Sequence, residues 1–238
     1  MIRATWHKHL LTFDRRRGTS RGTLIEKPSW FIVLKDDDSG NMGIGECGLL
    51  PGLSIDDKPD YEQKLQSLID AVNSATPIPD LTEWPSIKFG LEMAQAHFNS
   101  GKIEALLPNS FSQNQKPIPI NGLVWMGPFE EMKTQIEEKI EAGFDCIKLK
   151  IGAINFEDEL RLLKHIRKAF SPSDIEIRVD ANGAFNPKNA LNKLQRLSKL
   201  GIHSIEQPIK QGQVDEMANL CLKTPLPIAL DEELIGVF

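Results

Sequence analysis

Cys146-Ile147-Lys148-Leu149-Lys150 opens a series of short apolar runs that each end in charge, continued by Ile175-Glu176-Ile177-Arg178-Val179-Asp180, Ile202-His203-Ser204-Ile205-Glu206 and Ile228-Ala229-Leu230-Asp231. The charged ends at Lys150, Asp180, Glu206 and Asp231 recur at roughly 25–30 residues, the size of a βαβ unit. An earlier run, Ile118 to Trp125, supplies one more strand, and helical patterns fill the gaps. Phe129, Met132, Ile136 and Ile140 share one face and stop at Gly143, and Phe156, Leu160, Leu163, Ile166 and Phe170 share another. Asn186 reads as an N-cap with Pro187 at the first helical position, and Gly201 closes that helix. Five strands alternating with helices predict a parallel sheet. An open doubly wound sheet would usually carry a Gly-rich phosphate turn after its first strand, and Trp125-Met126-Gly127-Pro128 is not one. The expectation is therefore a TIM-like barrel with about five of its eight strands in this chain.

The first half has a different grammar. Ile2 to Phe13, Trp30 to Leu34 and Met42 to Cys47 read as an antiparallel meander, with a turn at Asp36 to Asn41. Helical patterns follow near 60–73 and 84–100, so this half is an α+β unit. The polar stretch Pro108 to Lys116 reads as a linker, which places one domain at 1–115 and the barrel part at 116–238.

A formal net charge of -5 argues against nucleic acid as a partner, because phosphate binding needs a basic surface field. Cys47, Cys146 and Cys221 are far apart and form no CxxC pair, so no disulfide framework or zinc site is expected. His7, Lys8 and His9 interrupt the apolar N-terminus and no run reaches membrane-spanning length, which predicts a cytoplasmic protein without a membrane partner. The five histidines and Cys47 are expected to be structural.

Active sites of α/β folds lie at the carboxyl ends of the strands. Side-chain alternation puts Lys148 and Lys150 on one face, and likewise Arg178, Asp180 and, if the strand continues, Asn182. Asp180, Glu206 and Asp231, taken singly, would each read as a helix cap or an ion pair. At matching positions in consecutive units they predict ligands of one divalent cation, Mg²⁺ with Mn²⁺ as the alternative, since three converging carboxylates need a cation to stay ionised. A lysine beside a second cation and a metal would have its pKa pushed down, as a general base requires. Arg178, from the same strand geometry, is expected to tune Lys150 or to meet a carboxylate, with a buried structural ion pair as the other reading.

Together Lys148-x-Lys150, Asp180-x-Asn182, Glu206-Gln207-Pro208 and Asp231-Glu232 resemble the enolase superfamily and its muconate-lactonizing subgroup, in which a lysine base works with Mg²⁺ through an enediolate. Arg21 to Leu24, Trp30-Phe31, Gly45-Glu46-Cys47 and Leu50 to Ser54 are similar to o-succinylbenzoate synthases. The resemblance implies an N-terminal α+β capping domain on a (β/α)7β barrel, and dehydration of 2-succinyl-6-hydroxy-2,4-cyclohexadiene-1-carboxylate, a small carboxylate, in menaquinone biosynthesis. It makes Lys150 the base, Lys148 a holder of the enediolate charge, and Asp180, Glu206 and Asp231 the metal ligands. Asn182, Gln207 and Glu232 become supports behind them. Arg15 to Gly22 becomes a mobile lid bearing Arg17, Thr19, Ser20 and Arg21. A second catalytic lysine and the last strands are expected beyond Phe238, so the chain reads as a fragment, inactive and aggregation-prone alone. A dipeptide epimerase and a non-catalytic metal-binding barrel are the alternative readings.

Overall fold

In β2 (Gly22–Asp36), Trp30, Ile32 and Leu34 alternate with more exposed neighbours, and all three are buried. This period of two gives the strand one apolar face, which α1 (Tyr61–Asn73) covers with Leu65, Leu68 and Ile69, and α2 (Pro85–Ser100) with Ile87, Leu91 and Ala94. The strand lies between β1 (Ile2–Thr19) and β3 (Met42–Cys47) in an antiparallel sheet of order β1-β2-β3. The computed structural model describes residues 2–19, 22–102 and 107–237, and the chain forms two compact units, Met1–Ile118 and Pro119–Phe238.

The first unit closes its sheet edges with side chains. Asn73 brackets Ala4 of β1, accepting from its N–H at 2.7 Å and donating to its carbonyl at 3.0 Å. His97 Nδ1 accepts the Ile44 N–H of β3 at 3.0 Å, the structural role expected of this histidine. Contact between β3 and α2 is backbone on backbone: a Cβ on Gly45 would fall 1.8 Å from the Gly90 carbonyl oxygen. The N-terminus of α2 is capped from outside the helix by buried Asp56, whose Oδ2 accepts from the Ser86 amide at 2.8 Å and hydroxyl at 2.6 Å.

One expectation for this unit is corrected. The segment Arg15 to Gly22 is not a loop up to Thr19, because β1 continues through it and Arg17, Gly18 and Thr19 pair with Leu24, Thr23 and Gly22. A register irregularity between Thr12 and Arg17 absorbs the mismatch, so the backbone groups find strand partners that a loop would leave to water. Of the expected lid residues, Ser20 and Arg21 lie outside the described residues, as do the side chains of Arg17 and Thr19.

The second unit is the alternating half. β4 (Gly122–Val124), β5 (Cys146–Lys150), β6 (Glu176–Asp180), β7 (Ser204–Glu206) and β8 (Ile228–Ala229) form a parallel sheet in sequence order. The connecting helices are α3 (Phe129–Glu141), α4 (Phe156–Ala169), α5 (Pro187–Ser198) and α6 (Val214–Lys223). Ile147, Leu149, Ile177, Val179 and Ile205 point to one face and are buried with Leu162, Leu163, Ile166, Leu194 and Leu197 of the helices. Asn186 caps α5, its side chain accepting the Lys188 N–H at 3.0 Å, with Pro187 next to it as the sequence indicates. An α+β unit of capping type followed by consecutive parallel βα steps is the architecture expected of an enolase-type chain. No helix among the described residues is long and apolar enough to cross a membrane.

Behind the end of β5, the turn into α4 is organised by a carboxylate. Glu159 is 1% exposed and its Oε1 accepts the Gly152 N–H at 2.5 Å. Burial pushes its pKa up, against the amides of Gly152, Ile154 and Ala153, which favour the charged form.

These contacts set two expected outcomes. Gly45→Ala drives a Cβ into backbone that cannot yield and lowers unfolding free energy by about 3 kcal/mol, the upper end of overpacking costs. Gly48→Ala, whose Cβ meets only Glu46 Oε1 at 3.8 Å, leaves the urea midpoint near that of the parent. For Glu159 the folded pKa lies above the unfolded value of 4.5, so the folded state binds the proton more tightly. Its contribution is intact below the unfolded value and is lost as pH rises through the raised one. Glu159→Gln removes that loss, and its urea midpoint minus the parent's rises with pH across this window. Glu159→Leu strips the Gly152 amide of its acceptor and costs roughly 1–3 kcal/mol.

Candidate active site

Strand register brings the charged ends into one row. Lys150 is the register partner of Asp180, Asp180 of Glu206, and Glu206 of Ala229. Because parallel neighbours in register present the same face, the side chains that avoid the apolar helix layer are the polar ones, and they meet. Lys150 Nζ donates to Asp180 Oδ2 at 3.0 Å and to Asn182 Oδ1 at 2.9 Å. Lys148 Nζ stands 2.5 Å from Glu206 Oε2 and 3.5 Å from Asp180 Oδ2. Asp180 is 1% exposed and keeps two ammonium groups as neighbours.

Asp231 lies past the end of its strand. It follows β8 by two residues, and its backbone N–H donates to Gln207 Oε1 at 3.1 Å. Burial raises its pKa, and the charges of Glu232 and Asp180 add to this against the opposing lysines. Among the described residues no three His, Cys, Asp or Glu side chains form a group that could hold a metal ion. Lys148 spans Asp180 and Glu206, and the turn after β8 carries Asp231 further along.

The donor chemistry nevertheless suits a hard divalent cation. Asp180, Glu206, Asp231 and Glu232 are four carboxylates against the two ammonium groups of Lys148 and Lys150, leaving two negative charges when all are ionised. The upward shift of Asp231 comes first from its burial, with the charges of Glu232 and Asp180 adding to it, and a divalent ion would balance the surplus.

Asn182, Gln207 and Glu232 are linked to the row by hydrogen bonds, and Glu233 and Trp125 lie with them. Asn182 links Lys150 to Glu232, its Nδ2 donating to Glu232 Oε1 at 3.2 Å, while its own N–H donates to Asp180 Oδ1 at 2.9 Å. Gln207 is fully buried: its Oε1 accepts from the amides of Asp231 and Glu233, and its Nε2 donates to the Ile209 carbonyl and to Glu233 Oε2. Asn182 and Gln207 both hold left-handed backbone, φ 42° and 37°, uncommon for residues with a Cβ and concentrated here at the strand ends. Glu233 was not anticipated. It closes the Gln207 network and accepts the Gly212 N–H at 3.0 Å, a link between loops that no local pattern encodes. Trp125 was not anticipated either. Its ring lies beneath Lys150 Nζ, with 5.6 Å to the centroid.

Of the readings of Arg178, meeting a carboxylate is the one the structure shows, and tuning of Lys150 is corrected. Arg178 shares the face of Asp180 but pairs with Glu176, Nε to Oε1 2.6 Å, and its side chain is 46% exposed. The Glu176 carboxylate, two residues earlier on the same face, is its near partner, whereas Lys150 is engaged by Asp180 and Asn182. Arg178 therefore meets a carboxylate outside the row and does not tune Lys150. At Lys148 the balance runs upward. Burial disfavours its charge, but the Glu206 and Asp180 carboxylates more than offset that and raise its pKa.

Comparison with known proteins agrees with this geometry. The Enolase C-terminal domain-like family model matches residues 131–238. An o-succinylbenzoate synthase of Desulfotalea psychrophila is 44% identical over 260 aligned residues, covering 95% of this chain and 70% of that protein. The crystal structure of MenC from the same organism superposes with a TM-score of 0.85 at 38% identity, over 100% of this chain and 72% of the other. The o-succinylbenzoate synthase of Thermosynechococcus elongatus, solved with Mg in its active site, gives 0.76 at 25% identity over 97% of this chain and 68% of that one. A chain whose lysines and acids meet at the ends of parallel strands, and which shares this much sequence with such a relative, belongs to the o-succinylbenzoate synthases of the enolase superfamily.

Proposed function

We propose that this chain dehydrates 2-succinyl-6-hydroxy-2,4-cyclohexadiene-1-carboxylate to o-succinylbenzoate, in menaquinone biosynthesis, with Lys150 as the general base. The observation that carries the reading is the Lys150–Asp180–Glu206 row with Lys148 beside it, in a chain 44% identical to an o-succinylbenzoate synthase.

The chemistry needs a proton taken from the carbon next to a carboxylate, and that carbon is weakly acidic until charge can spread onto the carboxylate oxygens. Lys150, as the neutral amine, takes the proton. The electron pair it leaves behind moves onto the carboxylate to give the enediolate, whose charge the Lys148 ammonium faces. Collapse of the enediolate returns the pair to the ring, the carbon–oxygen bond of the 6-hydroxyl breaks, and the leaving oxygen takes the proton held by Lys150, departing as water and restoring the amine. The ring becomes aromatic, so the driving force lies in the substrate, and the protein's task is to hold charge and aim one base.

Mg²⁺, for which Asp180, Glu206 and Asp231 would be the ligands, would supply positive charge against the substrate carboxylate. Asn182 holds the Lys150 ammonium from the side, and Gln207 fixes the turn that carries Asp231. Neither touches the reacting atoms in this reading; both are positioning residues.

The test is turnover by the full chain with Mg²⁺. Product formation is expected to stop on chelation and return on adding the metal. Lys150→Ala is expected to lower kcat by roughly 10²–10⁴, the usual contribution of a general base. In deuterated water the parent should exchange the substrate α-proton and the variant should not. Undiminished turnover by Lys150→Ala would overturn the assignment.

A further inference from the structure

Trp125 is the neighbour of Lys150 that the reaction above leaves without a task. Val124, the last residue of β4, is the register partner of Leu149, so Trp125 continues the strand to the level of Lys150. Alternation in β4 buries Gly122 and Val124 and leaves Leu123 and Trp125 on the other face, half-buried, which is the face of the two lysines. The Lys150 ammonium stands over the indole at 5.6 Å from the centroid, inside the range at which a cation is held by a ring face.

The ring starts from a fixed point. Gln135, on α3, grips the Trp125 backbone from both sides: its Oε1 accepts the Trp125 N–H at 2.9 Å and its Nε2 donates to the Trp125 carbonyl at 3.3 Å. A residue clamped through both backbone polar groups, with its ring turned to the proposed base and part of it open, is placed to meet whatever that base acts on.

A molecule that brings an acidic carbon to Lys150 Nζ from the Trp125 side lies against this indole. A flat apolar ring can use that surface, since aromatic faces give a large contact area with little conformational freedom to lose. We propose that Trp125 is a specificity-determining residue: the aromatic wall on which the six-membered carbocycle of the substrate stacks while its carboxylate faces the lysines. This rests on the reading of Lys150 as the base. It also assigns the class of ligand the site selects, namely a carboxylate attached to a planar or nearly planar ring. The fit improves along the reaction, because the carbocycle flattens as it aromatises.

The experiment reads Trp125 directly. Trp6, Trp30 and Trp84 belong to the first unit, so the difference in emission between the parent and Trp125→Phe reports this tryptophan. In the parent, benzoate and o-succinylbenzoate are expected to change that emission saturably, whereas succinate, which has carboxylates but no ring, is not. In Trp125→Phe the change is expected to vanish. In turnover by the full chain, Trp125→Leu is expected to lower kcat/KM about tenfold, chiefly through KM, the loss of one stacking contact, and Trp125→Phe recovers most of it. Succinate acting like benzoate, or a Trp125→Leu variant with the parent's KM, would overturn the proposal. Normal turnover with no ring-dependent emission change sinks the wall and leaves the dehydratase reading standing. Ring-dependent emission without turnover does the reverse.

Discussion

The register of three parallel strands is the constraint on which this site depends. Lys150, Asp180 and Glu206 lie side by side because β5, β6 and β7 pair in step, and a slip of one residue would turn any of them into the helix layer. Register is in turn held by the apolar alternates Ile147, Leu149, Ile177, Val179 and Ile205, whose burial against the helices rewards this pairing and no neighbouring one. Core packing and site assembly are thus one event. The residues that stabilise the sheet are the reason the charged ones meet.

Gathering charge in this way carries a cost, visible around the row. Asp180 is buried, a place where a carboxylate requires partners, and Lys148 and Lys150 supply them. Asn182 and Gln207 sit in left-handed backbone immediately after the row, where the chain must turn off the strand and still return side-chain atoms to it. The backbone cost is borne because the turns are over-determined. Gln207 alone fixes the amides of Asp231 and Glu233 and the Ile209 carbonyl, so relaxing its φ would release several hydrogen bonds at once.

The parts of this arrangement written in local pattern were legible in the sequence. Period-two apolar runs, the Asn186-Pro187 cap and the charged strand ends follow from neighbours within a few residues, and they placed Lys148, Lys150, Asp180, Asn182 and Glu206 on the face where they occur. What was missed depends on contacts distant in sequence or on competition between partners. Arg178 was on the right face, yet a rival carboxylate at Glu176 captured it. Glu233 matters through Gly212 and Gln207, loops that meet only after folding. The extension of β1 to Thr19 came from cross-strand pairing through a basic, turn-like composition that reads as loop. Trp125 reads as the end of a strand and the start of a turn lacking a phosphate signature, and nothing in its own segment points to Lys150.

The same carboxylates serve two masters, and this bears on how a lysine in such a row becomes a base. With Asp180 and Glu206 against it, Lys148 is held in its charged form, the opposite of what proton abstraction needs. Lys150 shares the Asp180 oxygen and has a neutral amide, Asn182, as its other close polar partner. An ion pair shared between two ammonium groups divides the carboxylate's hold, so the lysine with fewer anionic contacts is the one that withdrawing Asp180 would free more completely. Lys150 thus has one carboxylate partner and Lys148 two, a difference in line with the roles of base and cation proposed for them. The difference between two lysines on one strand face, two residues apart, is then set by which strand ends each can reach, and so by register again.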